Sequence, residues 1–148
     1  MFAAPVQVEQ TTHARLIVSA HLSAGLRVTL RYRSDDPLAV RMLFPAEYAV
    51  DGAADAQVVS TEPEIEWVFA RQLLAEGLDV PSGEGDVHLR PVAGLRTLVE
   101  LRSPDGVALL RFERAGLRRF LWSSYLAVPA GQELAGLDYD RALADLLA

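Results

Sequence analysis

The chain has 148 residues, a hydrophobic fraction of 51% and a formal net charge of −6. That length and apolar content fit one domain with a substantial core and exclude a disordered chain; the acidic balance argues against a general polyanion binder and leaves room for a local basic face. There is no cysteine and every basic residue is arginine, so disulfides, thiolate metal sites, thiol catalysis and lysine Schiff-base chemistry are excluded.

Residues 1–12 show no clear periodicity and are expected to fray. From Ala14 the period is two, with Leu16, Val18, Ala20 and Leu22 on one face and Arg15, Ser19 and His21 on the other. Ser23, Ala24 and Gly25 read as the turn into a second strand. There Leu26, Val28, Leu30 and Tyr32 point in while Arg27, Thr29, Arg31 and Arg33 point out. After a turn at 34–37, Leu38, Val40, Met42 and Phe44 make a third inner face. Residues 45–63, rich in Ala, Asp and Glu, read as a long loop, mobile between Tyr48 and Asp55.

The stretch from Glu66 to Pro91 joins two similar halves. Ile65, Trp67 and Phe69 face inward on a fourth strand, opposite Glu64 and Glu66. At Ala70 the period becomes 3.6. Ala70, Leu73, Leu74 and Gly77 share one face of a short helix, with Arg71, Gln72 and Glu76 opposite. Gly77 suits a left-handed position just past the helix end, and Pro81, Gly83 and Gly85 make a turn. A strand follows with Val87 and Leu89 inward, then another with Leu95, Thr97, Val99 and Leu101 on one face. Ser103 to Gly106 is a hairpin turn, after which Ala108, Leu110 and Phe112 return opposite Arg111 and Glu113. Leu98, Val107 and Leu109 put apolar groups on the outer face of this hairpin, so both of its faces are expected to be partly covered. Leu117, Phe120, Leu121, Ser124, Tyr125 and Val128 form one stripe of a helix from about Ala115, stopped by Pro129 and Gly131. Asp138 is a fitting N-cap for a last helix carrying Tyr139, Ala142, Leu143, Leu146 and Leu147. The fold class is α+β: antiparallel sheets with helices packed on them, in the order ββββα-βββ-αα. The predicted core comprises Leu16, Val18, Val28, Leu30, Tyr32, Val40, Met42, Ile65, Trp67, Phe69, Leu73, Val99, Leu101, Leu110 and Phe112.

No basic segment followed by an apolar run opens the chain, and no stretch approaches the roughly 18 apolar residues of a membrane span. A cytoplasmic protein is expected. Candidate chemistry is sparse. Arg27, Arg31 and Arg33, with Arg15 and Arg41 beside them, can form a basic strip, but a single-strand nucleic-acid groove also needs exposed aromatics, and Tyr32 and Phe44 fall on the inner parity. His13, His21 and His88 have no metal-ligand spacing. Asp86 and His88 share a strand face, either as an acid–base pair or as two solvated polar groups. Ser82 to Gly85 lacks the phosphate-loop arrangement and reads as a turn. Arg114, Arg118 and Arg119 form either a basic face for an acidic helix or tail of a partner, or an ordinary wet helix face. No catalytic, metal or cofactor residue is assigned, and no enzymatic activity is expected.

The segment EWVFARQLLAEGLDVPSGEGDVHLRP resembles the signature region of the SsgA-like sporulation and cell division proteins of actinomycetes, closest to the SsgB subgroup. That family shows E-W-x-F-x-R-x-L-L-x-x-G followed by P-x-G-x-G-D-V. Glu66, Trp67, Phe69, Arg71, Leu73, Leu74, Gly77, Pro81, Gly83, Gly85, Asp86 and Val87 match it. Flanking matches are YRSDDPLAV (32–40), LRSPDGVALL (101–110) and the turn at 128–131. Residues 45–63 run longer than the family pattern. The resemblance implies a single domain of whirly-like fold and a homotrimer. It implies a non-enzymatic regulator at division septa that helps position FtsZ, with an SsgA-type paralogue as partner and the membrane reached only indirectly. A single-stranded nucleic-acid binder is the alternative that the fold analogy alone offers. An outer face such as Leu98, Val107 and Leu109 is the natural place for the subunit contact.

Overall fold

A computed structural model of the chain describes residues 4–45 and 64–134. Among these residues the elements run β1 (Gln7–Ile17), β2 (Ser23–Arg33), β3 (Ala39–Pro45), β4 (Glu64–Ala70), α1 (Arg71–Gly77), β5 (Val87–Val92), β6 (Arg96–Ser103), β7 (Gly106–Glu113) and α2 (Arg114–Ala127). The expected order therefore stands through α2. The long 45–63 connection beyond Pro45, its mobile part, and the helix expected from Asp138 lie outside the described residues.

The expected sheets are one continuous seven-stranded antiparallel sheet, ordered β4-β3-β2-β1-β7-β6-β5. Each half of the chain is a meander, and the two meet where Ala14, Arg15 and Leu16 of β1 pair with Phe112, Arg111 and Leu110 of β7. The outermost strands are β4 and β5, which are consecutive in the chain. Helix α1 connects them and packs against both, so the sheet curls until a seven-residue helix bridges its two edges. Helix α2 lies across the inner surface, over β1, β2 and β7.

The period-two readings place most of the core correctly. Leu26, Val28, Leu30, Tyr32, Val40, Met42, Val99, Leu101, Leu110 and Phe112 are buried, and Leu117, Phe120 and Leu121 of α2 complete the same cluster. Burying such side chains contributes about 1.5–3 kcal/mol each before the entropic cost of ordering the chain.

Several expectations fail for identifiable reasons. Residues 7–12 are strand rather than frayed, in register with β2 from Gln7↔Arg33 to Ile17↔Ser23. Only Val8 is strongly apolar there, so backbone pairing decides what hydrophobic alternation does not show. The turn falls at 18–22, closed by bonds between Val18, Ser19 and Leu22, and Ser23, Ala24 and Gly25 belong to β2. Val18 is consequently exposed rather than core, as is Leu22. Ile65 has the predicted parity but sits near the start of edge strand β4 and is exposed, while Trp67 and Leu73 are half-buried. Leu95 lies in the turn before β6 with φ 57° and is exposed.

Gly77 is the last residue of α1, not a left-handed cap, and it is buried. Its function is close approach: a Cβ there would overlap the Leu89 side chain of β5. Gly83, by contrast, has φ 117° and faces the Val87 carbonyl so closely that a side chain would collide with it. Gly77→Ala should force α1 away from β5 and cost about 1–3 kcal/mol in urea unfolding. Gly85→Ala, which meets open space, should stay within about 0.5 kcal/mol of wild type.

Candidate functional site

The densest polar constellation surrounds Arg71. Helical periodicity puts this residue on the solvent side of α1, yet it is 1% exposed. Its guanidinium lies between two aromatic rings, 4.7 Å from the Tyr32 centroid and 4.8 Å from that of Tyr125. Nη1 donates to the carbonyls of Val128 (2.7 Å) and Ser124 (3.2 Å), and Nη2 donates to the Glu133 carboxylate at 2.7 Å. The last carbonyls of a helix have no intrahelical donor and carry its negative end. Helix α2 has no basic residue in its own last turn. Arg71 supplies that cation from another helix and joins α1, β2 and the segment after α2 in one knot.

The electrostatics follow from this geometry. The hydrogen bond from Arg71 holds the Glu133 carboxyl below the usual carboxylate range, helped by backbone donors. Burial raises the Tyr32 phenol, with the Arg71 charge opposing, and its hydroxyl donates to the Pro37 carbonyl at 2.9 Å. Cation, rings and carboxylate are mutually satisfied, so the constellation is structural in character. Tyr32 and Tyr125 are the signal available in the sequence: both sit on inward stripes and carry faces able to take a cation.

The residues singled out from the sequence fall on three surfaces. Of the strand arginines, Arg31 pairs with Glu9, Arg33 with Asp35, and Arg41 with both Asp36 and Glu66. The basic strip is thus largely neutralised, and Tyr32 and Phe44 are buried beneath it. On α2, Arg114 is turned back to Asp79 beyond α1, at 2.6 Å, which separates it from Arg118 and Arg119. Those two are exposed, together with Trp122 (59%) and Leu126 (88%), on one outward face of α2. On the hairpin, Val107 is 59% exposed, whereas Leu98 and Leu109 are half-buried. Both helices pack on the opposite face of the sheet, so neither covers this trio.

The histidines lie apart: His13 on β1, His21 in the 18–22 turn and His88 on β5. Asp86 precedes β5 instead of sharing its face, and the carboxylate opposite His88 is Glu100 of β6. His88, Arg90, Leu98, Glu100 and Arg102 line a cleft of about 360 Å³, walled by Pro81, Ser82 and Gly83. Among the described residues no helix is long and apolar enough to cross a membrane.

A curled antiparallel sheet wrapped on a helix, with open basic–apolar faces, defines an α+β domain. Residues 26–133 match the model of the family described as Streptomyces sporulation and cell division protein, SsgA, and the chain belongs to that family. It is 42% identical over 147 residues to the sporulation-specific cell division protein SsgB of Salinispora tropica, covering 97% of this chain and 95% of that one. To SsgB of Streptomyces coelicolor it is 38% identical over 92% of each chain. A solved structure from a study of SsgB mutations correlated with longitudinal cell division during sporulation of S. coelicolor superposes with a TM-score of 0.79 at 35% identity, covering 93% of this chain and all of that one. The crystal structure of an SsgA-like sporulation-specific cell division protein from Thermobifida fusca gives 0.77 at 32% identity, covering 98% of each chain.

Removing Arg71 should leave the Val128 carbonyl and the Glu133 carboxylate without this donor and a void between two rings. Arg71→Ala is expected to cost about 3–5 kcal/mol in urea unfolding at neutral pH, and Glu133→Gln about 1 kcal/mol. Because the folded-state pKa of Glu133 is lowered, its contribution is complete above the ordinary carboxylate range. It is lost as the pH falls through the lowered value. The stability gap between wild type and Glu133→Gln should therefore be flat near neutrality and close in acid.

Proposed function

We propose that this chain is a non-enzymatic cell-division regulator, acting in the cytoplasm at sporulation septa as a protein-binding scaffold that helps position FtsZ, with an SsgA-type paralogue as a further partner. The observation that carries this reading is the near-full-length similarity to proteins named for sporulation-specific cell division. The surface of α2 supports it. Trp and Arg dominate binding hot spots, and Arg118, Arg119, Trp122 and Leu126 stand together on one exposed helix face. The nucleic-acid alternative loses ground because three of the five strip arginines already hold carboxylates.

We further propose that the scaffold is a homotrimer joined through the outer face of the β6–β7 hairpin at Val107 and Leu109, with Leu98 at the far margin of that face, where it stays open to the cleft beside β5. Repeated weak sites on one assembly raise avidity by roughly 10²–10⁴.

Purified protein should retain FtsZ of the same organism in a pull-down and should not retain single-stranded oligonucleotides. Trp122→Ala and Leu126→Asp should reduce FtsZ capture with circular dichroism unchanged. Capture of oligonucleotide but not FtsZ would reverse the reading. Light scattering should give a trimer mass, with Val107→Asp and Leu109→Asp dissociating it and Glu113→Ala having little effect. A monomer mass at all micromolar concentrations would remove the trimer.

A further inference from the structure

The cleft on the outer faces of β5 and β6 has properties that the cell-division reading does not use. Its wall is the turn at 81–83, which folds over the edge of β5. Ser82 N–H donates to the Leu89 carbonyl at 2.8 Å, and Leu89 N–H donates back at 2.9 Å. Pro91, further along β5, has no N–H to offer. The edge is thus blunted against addition of another strand, and recognition there falls to side chains.

Those side chains are unequal in charge. Glu100 is engaged by Arg102, at 2.8 Å. Arg90 is exposed on β5 and has no carboxylate partner among the described residues. Across the sheet Arg90 opposes Leu98, and Leu98 opposes Arg111, which likewise has no such partner there. An apolar side chain therefore lies between two uncommitted guanidiniums, beside a third that is already paired. This occurs on a chain whose net charge is −6.

We propose that this cleft docks an acidic, leucine-bearing peptide segment of a partner protein, with a carboxylate held by Arg90 and an apolar side chain seated on Leu98. The proposal rests on the protein-binding scaffold reading above and names a partner chemistry for it. Arginine presents a planar fork of donors that fits a carboxylate with two parallel hydrogen bonds. Leu98 gives no energy to a free inorganic anion, so the pairing of cation and apolar floor selects a peptide. The cleft lining carries no Phe, Tyr or Trp, and His88 is its one aromatic ring, so it lacks the row of stacking aromatics of a single-strand nucleic-acid groove.

The test is fluorescence anisotropy with a short labelled peptide of alternating Glu and Leu, read against a Lys–Leu peptide of equal length. Arg90→Ala should weaken binding of the acidic peptide by about tenfold or more. Leu98→Ser should weaken it measurably, and Arg27→Ala, on the outer face of β2, should leave it unchanged. Equal binding by all three variants, or equal binding of the basic peptide, overturns the proposal. Binding that phosphate abolishes and that ignores Leu98 also overturns it, since the site would then be a simple anion site. A change in light-scattering mass on Arg90→Ala would put a second copy of the chain in the cleft and overturn it too. Peptide binding with no FtsZ capture supports the cleft and refutes FtsZ as the partner; FtsZ capture with no peptide binding refutes the cleft alone.

Discussion

A single buried cation organises this molecule. Placing a guanidinium in the interior costs several kcal/mol unless its donors and charge are answered, and Arg71 is answered by two ring faces, helix-end carbonyls and a carboxylate. Among the described residues, Nε alone of its donors has no partner. Such groups are all-or-nothing: satisfied together they fix one arrangement, and partly satisfied they are worse than an apolar core. Tyr32 comes from β2, Arg71 from α1, and Tyr125 and Glu133 from α2 and the segment behind it. The cation can be satisfied only when the sheet is curled, α1 spans its edges and α2 lies in the bowl.

This explains why the strand pattern was readable and the centre was not. Alternation reports which face of a strand meets apolar surroundings. It correctly located Val28, Leu30, Val99, Leu101, Leu110 and Phe112, all fully or almost fully buried. It fails where another force decides the outcome. The first half of β1 is held by ladder hydrogen bonds with little apolar help. In α1, seven residues are too few for a period to be compelling, and the most polar side chain of its first turn is the one that goes inside. No hydropathy rule predicts that, since arginine is almost never fully buried unless paired, and its partners lie as far as 62 positions away.

The surfaces were legible in a different degree. Outer-face apolar positions on the hairpin followed from parity alone; cover over that face was expected, whereas Val107 is 59% exposed. Of the three arginines of the α2 face, Arg114 is turned to Asp79 through a tertiary contact invisible to local spacing, while Arg118 and Arg119 stay exposed. Trp122 and Leu126 complete the open face of α2, and the sequence held that signal: helical spacing puts both on the side away from the buried stripe of Leu117, Phe120, Leu121 and Ser124. The cleft was hidden for a further reason. It requires knowing that β5 lies beside β6 at an edge and that the 81–83 turn folds over it.

The junction between the two meanders bears on how the chain comes to be folded. Three pairs, Ala14 to Leu16 with Leu110 to Phe112, connect the halves through the sheet. They bring together residues from β1 and β7, as far apart as Ala14 and Phe112, and contacts of that span make folding slow. During synthesis β1 emerges early and β7 late, so the inner flank of β1 waits as an unpaired edge while the ribosome continues. The composition of β1 suits that interval. Gln7, Glu9, Gln10, Thr11 and Thr12 give its leading half little apolar surface, and a polar, charged edge is a poor template for pairing with a neighbouring nascent chain. The same polarity that conceals this strand from pattern reading protects the half-made protein from its own copies.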